Sequence, residues 1–182
     1  MNIVFLDIDG VISPNDTIYD LTEKLFHELM FNPQIHDQLK YEPEYRQWLT
    51  DEILRTFDRE CVSRLINFLD QTQSKIVVHS TWRRMPGQQI TEYVLRCLGL
   101  ESYFHENLYA PMKLSSDKAH DIGMWLAENS CDRYCIFEDL DIYAVYYEID
   151  PHKKDHLFLI SDPDRGLQDN DVAEFLGRWD HL

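Results

Sequence analysis

The chain has 182 residues, 44% of them hydrophobic and 13% aromatic, which suffices for one packed core and is short for two domains of about 100–150 residues each. Lys and Arg number 17 against 33 Asp and Glu, a formal charge of −16 that disfavours extended nucleic acid as a partner unless basic residues gather locally. No run approaches the ~20 apolar residues of a membrane helix, no signal-peptide pattern opens the chain, and Cys61, Cys97, Cys131 and Cys135 lack the density of a disulfide scaffold, so the expectation is a soluble protein of a reducing, cytoplasmic compartment with no membrane segment.

The first apolar run, IVFLDI at 3–8, reads as a buried strand, yet Asp7 and Asp9 close it with Gly10 directly behind. A buried strand has no partner for paired charges, so this one ends in a solvent-filled site or its carboxylates hold something positive. Residues 11–57 are the least regular stretch. There Pro14, Pro33 and Pro43 punctuate amphipathic segments such as TIYDLTEKLFHELM and EYRQWLTDEIL, which read as a small helical insertion, or flap, after the first strand.

Val62, Leu65, Ile66 and Leu69 follow Asp58 at helical spacing, and KIVVH at 75–79 is a second strand. Ile90, Val94 and Leu98 mark a helix between Pro86 and Gly99, and 103–109 is a weaker strand. Ile122, Trp125 and Leu126 follow a Ser115-Ser116 cap, while YCIF at 134–137 and LFLI at 157–160 complete the strands. Strands alternating with helices predict an α/β fold, a central parallel sheet with both faces covered, as a single domain over residues 1–182.

Ligands of such sheets bind beyond the carboxyl ends of the strands, and polar residues collect there. Asp7 and Asp9 end the first strand, HSTWRR at 79–84 ends the second, and Glu138, Asp139 and Asp141 end the fourth, with Lys118 in the first turn of a helix. Residues i and i+2 of an extended segment point the same way, so Asp7 and Asp9 face one centre. Like charges that close do not both stay ionised unaided, and Mg²⁺, a hard cation that prefers oxygen, resolves the conflict. No GxxxxGK loop and no Cys six positions before an Arg is present, which removes two other phosphate chemistries. His152 and His156 stand at i, i+4, but HKKDH reads as a solvated turn rather than a zinc clasp.

DIDGV, a strand ending in Ser-Thr, a Lys and an acidic pair after a later strand, in that order, resemble the haloacid dehalogenase-like (HAD) phosphohydrolase superfamily. HSTWR and the tail LFLISDPDRGLQDNDVAEFL further resemble HAD domains fused in bacterial RNA-repair proteins. The resemblance implies a HAD-type Rossmann-like three-layer sandwich and a Mg²⁺-dependent phosphomonoester hydrolase working through an aspartyl-phosphate. It makes Asp7 the nucleophile and Asp9 the general acid and base, with Ser80 and Lys118 binding phosphate and Thr81 the runner-up to Ser80. Asp7, Asp9 and Asp139 become the metal ligands. Many relatives carry Asp where this chain has Glu138, which is assigned to a supporting position beside Lys118; the division of roles among Glu138, Asp139 and Asp141 stays open. Arg83 and Arg84 read as surface charges, with Arg83 the candidate grip on the leaving group; Trp82 is assigned to packing, Asp162 to a turn and His79 to a satisfied strand end.

A phosphorylated partner follows, and the charge favours a phosphoprotein over an extended nucleic acid. The short gap between Ser80 and Lys118 leaves no room for a large lid, and Tyr41, Tyr45, Trp48 and Phe57 offer an aromatic slot, so phosphotyrosine is the first expectation. The alternatives are a nucleic-acid end phosphatase, favoured by the RNA-repair resemblance and by a patch of Arg83, Arg84 and Lys113, or a small-metabolite phosphatase.

Overall fold

Residues Asn2–Leu6 form β1, and both faces of this strand are covered: Val4 and Leu6 enter one buried cluster, Ile3 and Phe5 another. That alternation is the period-two geometry of a strand between two layers. The computed structural model describes residues 1–18, 32–84, 86–112, 118–142 and 151–182.

Among them β2 (Ser74–Val78), β3 (Phe104–Tyr109), β4 (Arg133–Glu138) and β5 (Leu157–Leu159) join β1 in an all-parallel sheet of order β3-β2-β1-β4-β5. The strand order reverses between β1 and β4, so the topological switch lies where their carboxyl ends meet. Leu6 is level with Val78 on one side and Phe137 on the other. The next residue of each strand, Asp7, His79 and Glu138, therefore emerges side by side.

Among the described residues the helices are α1 (Asn15–Ile18), α2 (Ile35–Tyr41), α3 (Pro43–Leu54), α4 (Arg59–Thr72), α5 (Gln88–Cys97), α6 (Lys118–Glu128) and α7 (Asp169–Trp179). Val62, Leu65 and Phe68 of α4, Ile90 and Val94 of α5, and Val172, Phe175 and Trp179 of α7 bury against one face of the sheet. Ile122 and Trp125 of α6 bury against the other, where Trp125 meets Phe5 edge to face at 5.3 Å. Full burial of each large apolar side chain stabilises by roughly 1.5–3 kcal/mol. Asp58 caps α4 by accepting from the backbone N–H groups of Glu60 and Cys61 at 2.6 and 3.3 Å.

The insertion contributes to the same core through Ile35, Leu49, Ile53 and Phe57. Most of the TIYDLTEKLFHELM segment, the Ser115-Ser116 pair and Lys113 lie outside the described residues.

Candidate active site

Asp7 leaves β1 at the switch point and is 4% exposed. Its backbone N–H donates to the Phe137 carbonyl at 3.0 Å, and its Oδ1 accepts from the backbone N–H of Ile8 at 2.9 Å. Behind it the chain folds into a tight loop: the N–H groups of Val11, Ile12 and Ser13 all point at the Ile8 carbonyl, and Gly10 N donates to Ser13 O at 2.8 Å. Gly10 adopts φ +69° there, a left-handed conformation that glycine tolerates best.

Lys118, at the first position of α6, places its ammonium against Asp7 Oδ2 and Glu138 Oε1. Glu138 ends β4 fully buried, and Asp139 follows it half-buried. Asp7, Glu138 and Asp139 each offer an oxygen within 4.8 Å of the others.

Burial alone would raise the Asp7 carboxyl, but the Lys118 charge and the Ser80 hydroxyl outweigh it and hold the group below its usual range. Burial lowers the Lys118 ammonium in turn, and Asp7 and Glu138 together overcome that and raise it. Glu138 is pushed up to about 9, by burial first and the Asp7 charge second. Burial followed by Asp7 also raises Asp139. One lysine cannot keep three converging carboxyl groups ionised together, and an all-oxygen donor set of this kind suits a hard divalent cation such as Mg²⁺.

The structure groups the metal-type ligands differently from the expected set. Glu138, assigned to support, joins Asp7 and Asp139 within 4.8 Å, and the Asp9 carboxylate is not part of that cluster. Asp9 instead accepts at Oδ1 from the indole N–H of Trp82 at 2.9 Å. Burial, then the charges of Asp7 and Asp139, raise Asp9 to about 6 despite that bond.

Ser80 is fully buried at the end of β2, and its hydroxyl oxygen accepts from Trp82 N at 3.3 Å. Thr81 and Arg84 are exposed. Asp141 stands 3.3 Å from Lys154, and the Asp162 carbonyl accepts from Arg165 N at 3.0 Å in a turn.

Arg83 corrects the sequence reading. It is 5% exposed, and its guanidinium faces inward rather than toward a leaving group. Nε donates to Ser80 O at 2.9 Å, Nη1 to Ala110 O and Pro111 O at 2.6 and 2.9 Å, and Nη2 to His79 O and Asp121 Oδ2 at 2.6 and 3.2 Å. Five contacts occupy the five donors of the fork. Arg83 thus ties the end of β2 to the loop after β3 and to α6, the helix that carries Lys118.

His79 is only half satisfied. Its Nε2 lies 3.4 Å from Phe137 O, while Nδ1 has no hydrogen-bond partner among the described residues and faces Glu138 Oε1 at 3.7 Å. Burial lowers the imidazole to about 3, so the pair is a neutral ring beside a carboxyl and not an ion pair. His156 stacks on Tyr134 at 3.9 Å with Nδ1 2.8 Å from the Tyr134 carbonyl, and the His152 side chain lies outside the described residues.

The chain belongs to the family described as the HAD domain in Swiss Army Knife RNA repair proteins, whose model matches residues 3–172. It is accordingly a HAD-type hydrolase of the phosphatase class. No curated protein and no solved structure gives a significant match.

Proposed function

We propose that this domain is a Mg²⁺-dependent phosphomonoesterase that removes terminal phosphate from nucleic-acid ends through an aspartyl-phosphate on Asp7. The observation that carries the chemistry is the convergence of Asp7, Lys118, Glu138 and Asp139 at the switch point. Asp7 is an ionised, oriented carboxylate; an oxygen of it attacks phosphorus while the bond to the leaving oxygen breaks. Asp9 gives that oxygen its proton, then takes one from the water that attacks the phosphoenzyme and frees Asp7 and inorganic phosphate. Ser80 and Lys118 meet the charge on the transferred group. Asp7, Glu138 and Asp139 would hold Mg²⁺, which supplies further positive charge at those oxygens.

The substrate class rests on the family, whose description names RNA repair. The aromatic slot that favoured phosphotyrosine finds little support. Phe57 is buried against Trp82, Tyr45 and Trp48 are half-buried and pack together with centroids 5.6 Å apart, and of the four only Tyr41 is well exposed, at 68%. The charge of −16 weighs against gripping a long polyanion, but a terminal phosphate asks only for contact with the last nucleotides.

The test is a panel of 3′- and 5′-phosphorylated oligoribonucleotides, phosphopeptides and sugar phosphates at equal Mg²⁺. Oligonucleotide ends should give the highest kcat/KM, with rates falling as salt rises. Phosphopeptides or sugar phosphates in first place would overturn the substrate assignment.

A further inference from the structure

Trp82 reads from the sequence as a packing residue, yet it is bonded to both sides of the site. Its indole N–H donates to Asp9 Oδ1 at 2.9 Å and its backbone N–H to Ser80 Oγ at 3.3 Å. The residue is itself anchored: its carbonyl accepts from Gly87 N at 3.0 Å and Thr91 Oγ1 at 2.9 Å, and its ring lies edge-on to Phe57 at 5.5 Å and 75°. An indole nitrogen has one donor and no acceptor, so the contact with Asp9 has a fixed direction.

We propose that Trp82 is the positioning residue for Asp9. The indole occupies Oδ1 and leaves Oδ2 to pass the proton to and from the leaving oxygen. Its backbone N–H takes a lone pair of Ser80, which keeps the Ser80 O–H directed into the site, where it serves the Asp7 carboxylate. The proposal rests on the reading of Asp9 as general acid and base. A merely structural Trp82 would need its ring and not its N–H, and that difference is measurable.

Trp82→Phe keeps an aromatic ring against Phe57 and removes the donor. The readout is the ratio of kcat/KM for glycerol phosphate, whose alkoxide needs a proton, to that for p-nitrophenyl phosphate, whose phenolate needs little. In Trp82→Phe the ratio should fall by about 10-fold, and in Asp9→Asn by about 100-fold or more, the scale of general acid catalysis. Phe57→Leu, which loosens the packing and keeps the N–H, should retain the wild-type ratio.

If Asp9→Asn leaves the ratio unchanged, Asp9 is not the acid and both readings fall together. If Asp9→Asn lowers it while Trp82→Phe does not, or if Phe57→Leu lowers it as much as Trp82→Phe, the assignment of Asp9 stands and Trp82 is packing alone. A second measurement does not depend on Trp82→Phe folding. The indole ¹⁵N–H resonance of Trp82 should shift, and its hydrogen exchange quicken at least about 10-fold, in Asp9→Ala; an unmoved resonance with unchanged exchange overturns the proposal.

Discussion

Gly10 and Asp139 approach so closely that no side chain fits between them. A β-carbon on Gly10 would lie 2.6 Å from Asp139 Cβ and 2.7 Å from its Oδ2. The loop behind Asp7 and the loop behind β4 are thereby packed backbone against carboxylate, and the spacing of the acidic cluster depends on a missing methyl.

Gly10→Ala should therefore damage the site more than the fold. The left-handed backbone costs about 1–2 kcal/mol, while displacing Asp139 by about an ångström is expected to lower kcat on the order of 100-fold. Thermal melting and Mg²⁺ titration of kcat separate the two effects. Wild-type turnover with wild-type Mg²⁺ dependence would show that the contact is relieved without moving Asp139.

Arg83→Met should unfold the protein more readily by about 3–5 kcal/mol, the cost of stripping one partner from a buried ion pair, because Asp121 and four carbonyls lose their donor. Urea unfolding measures it. An unchanged midpoint combined with a raised KM would return Arg83 to the substrate-binding role that the sequence suggested.

Metal removal and pH are coupled. In the metal-free protein Asp9 is raised to about 6 and Glu138 to about 9, both chiefly by burial. Each then binds more protons folded than unfolded, so stability falls as pH rises from about 4 toward these values. The lowered Asp7 acts the opposite way, in a window below its ordinary value of 3.8. Mg²⁺ offsets the carboxylate charge, so its addition should raise Tm more at pH 8 than at pH 5, and chelator should abolish turnover at either pH. An equal rise at both pH values would detach the metal from these carboxylates.

The cysteines give an independent check on the core. Burial raises Cys61 to about 11 and Cys135 well above the usual thiol range, whereas Cys97 is exposed. At pH 8 a thiol reagent should modify Cys97 fastest and leave Cys61 and Cys135 untouched until denaturant is added. Rapid labelling of Cys135 in the native protein would contradict the placement of β4.

Much of this was legible in the chain. Apolar runs punctuated by helical periodicity gave β1, β2, β4 and the helices α3, α4, α5 and α6 near their observed bounds, because both faces of the sheet are covered and the strands are continuously apolar. The polar strand ends pointed to Asp7, Asp9, Ser80 and Asp139 in the same way, and a helix start to Lys118. The pairing of Glu138 with Lys118 was legible, but its closeness to Asp7 was not, because that comes from the register of β1 against β4, Leu6 level with Phe137, and strand register leaves no trace in a single sequence. Trp82 and Arg83 make contacts that the sequence did not disclose, for a related reason. They share one short turn, Thr81–Arg83, in which neighbouring residues point in different directions, one to the carboxylate and one to the interior.

The order of the strands also bears on when the enzyme comes into being. The ammonium partner of Asp7 lies 111 positions after it in the chain, and the β4 carbonyl that fixes its backbone later still. A parallel sheet whose first strand is central closes only through distant pairings, which are the slow ones in folding. A nascent or truncated chain that stops short of β4 would carry the Asp7 carboxylate without the geometry around it, so recovery of turnover during refolding reports completion of the sheet rather than its nucleation.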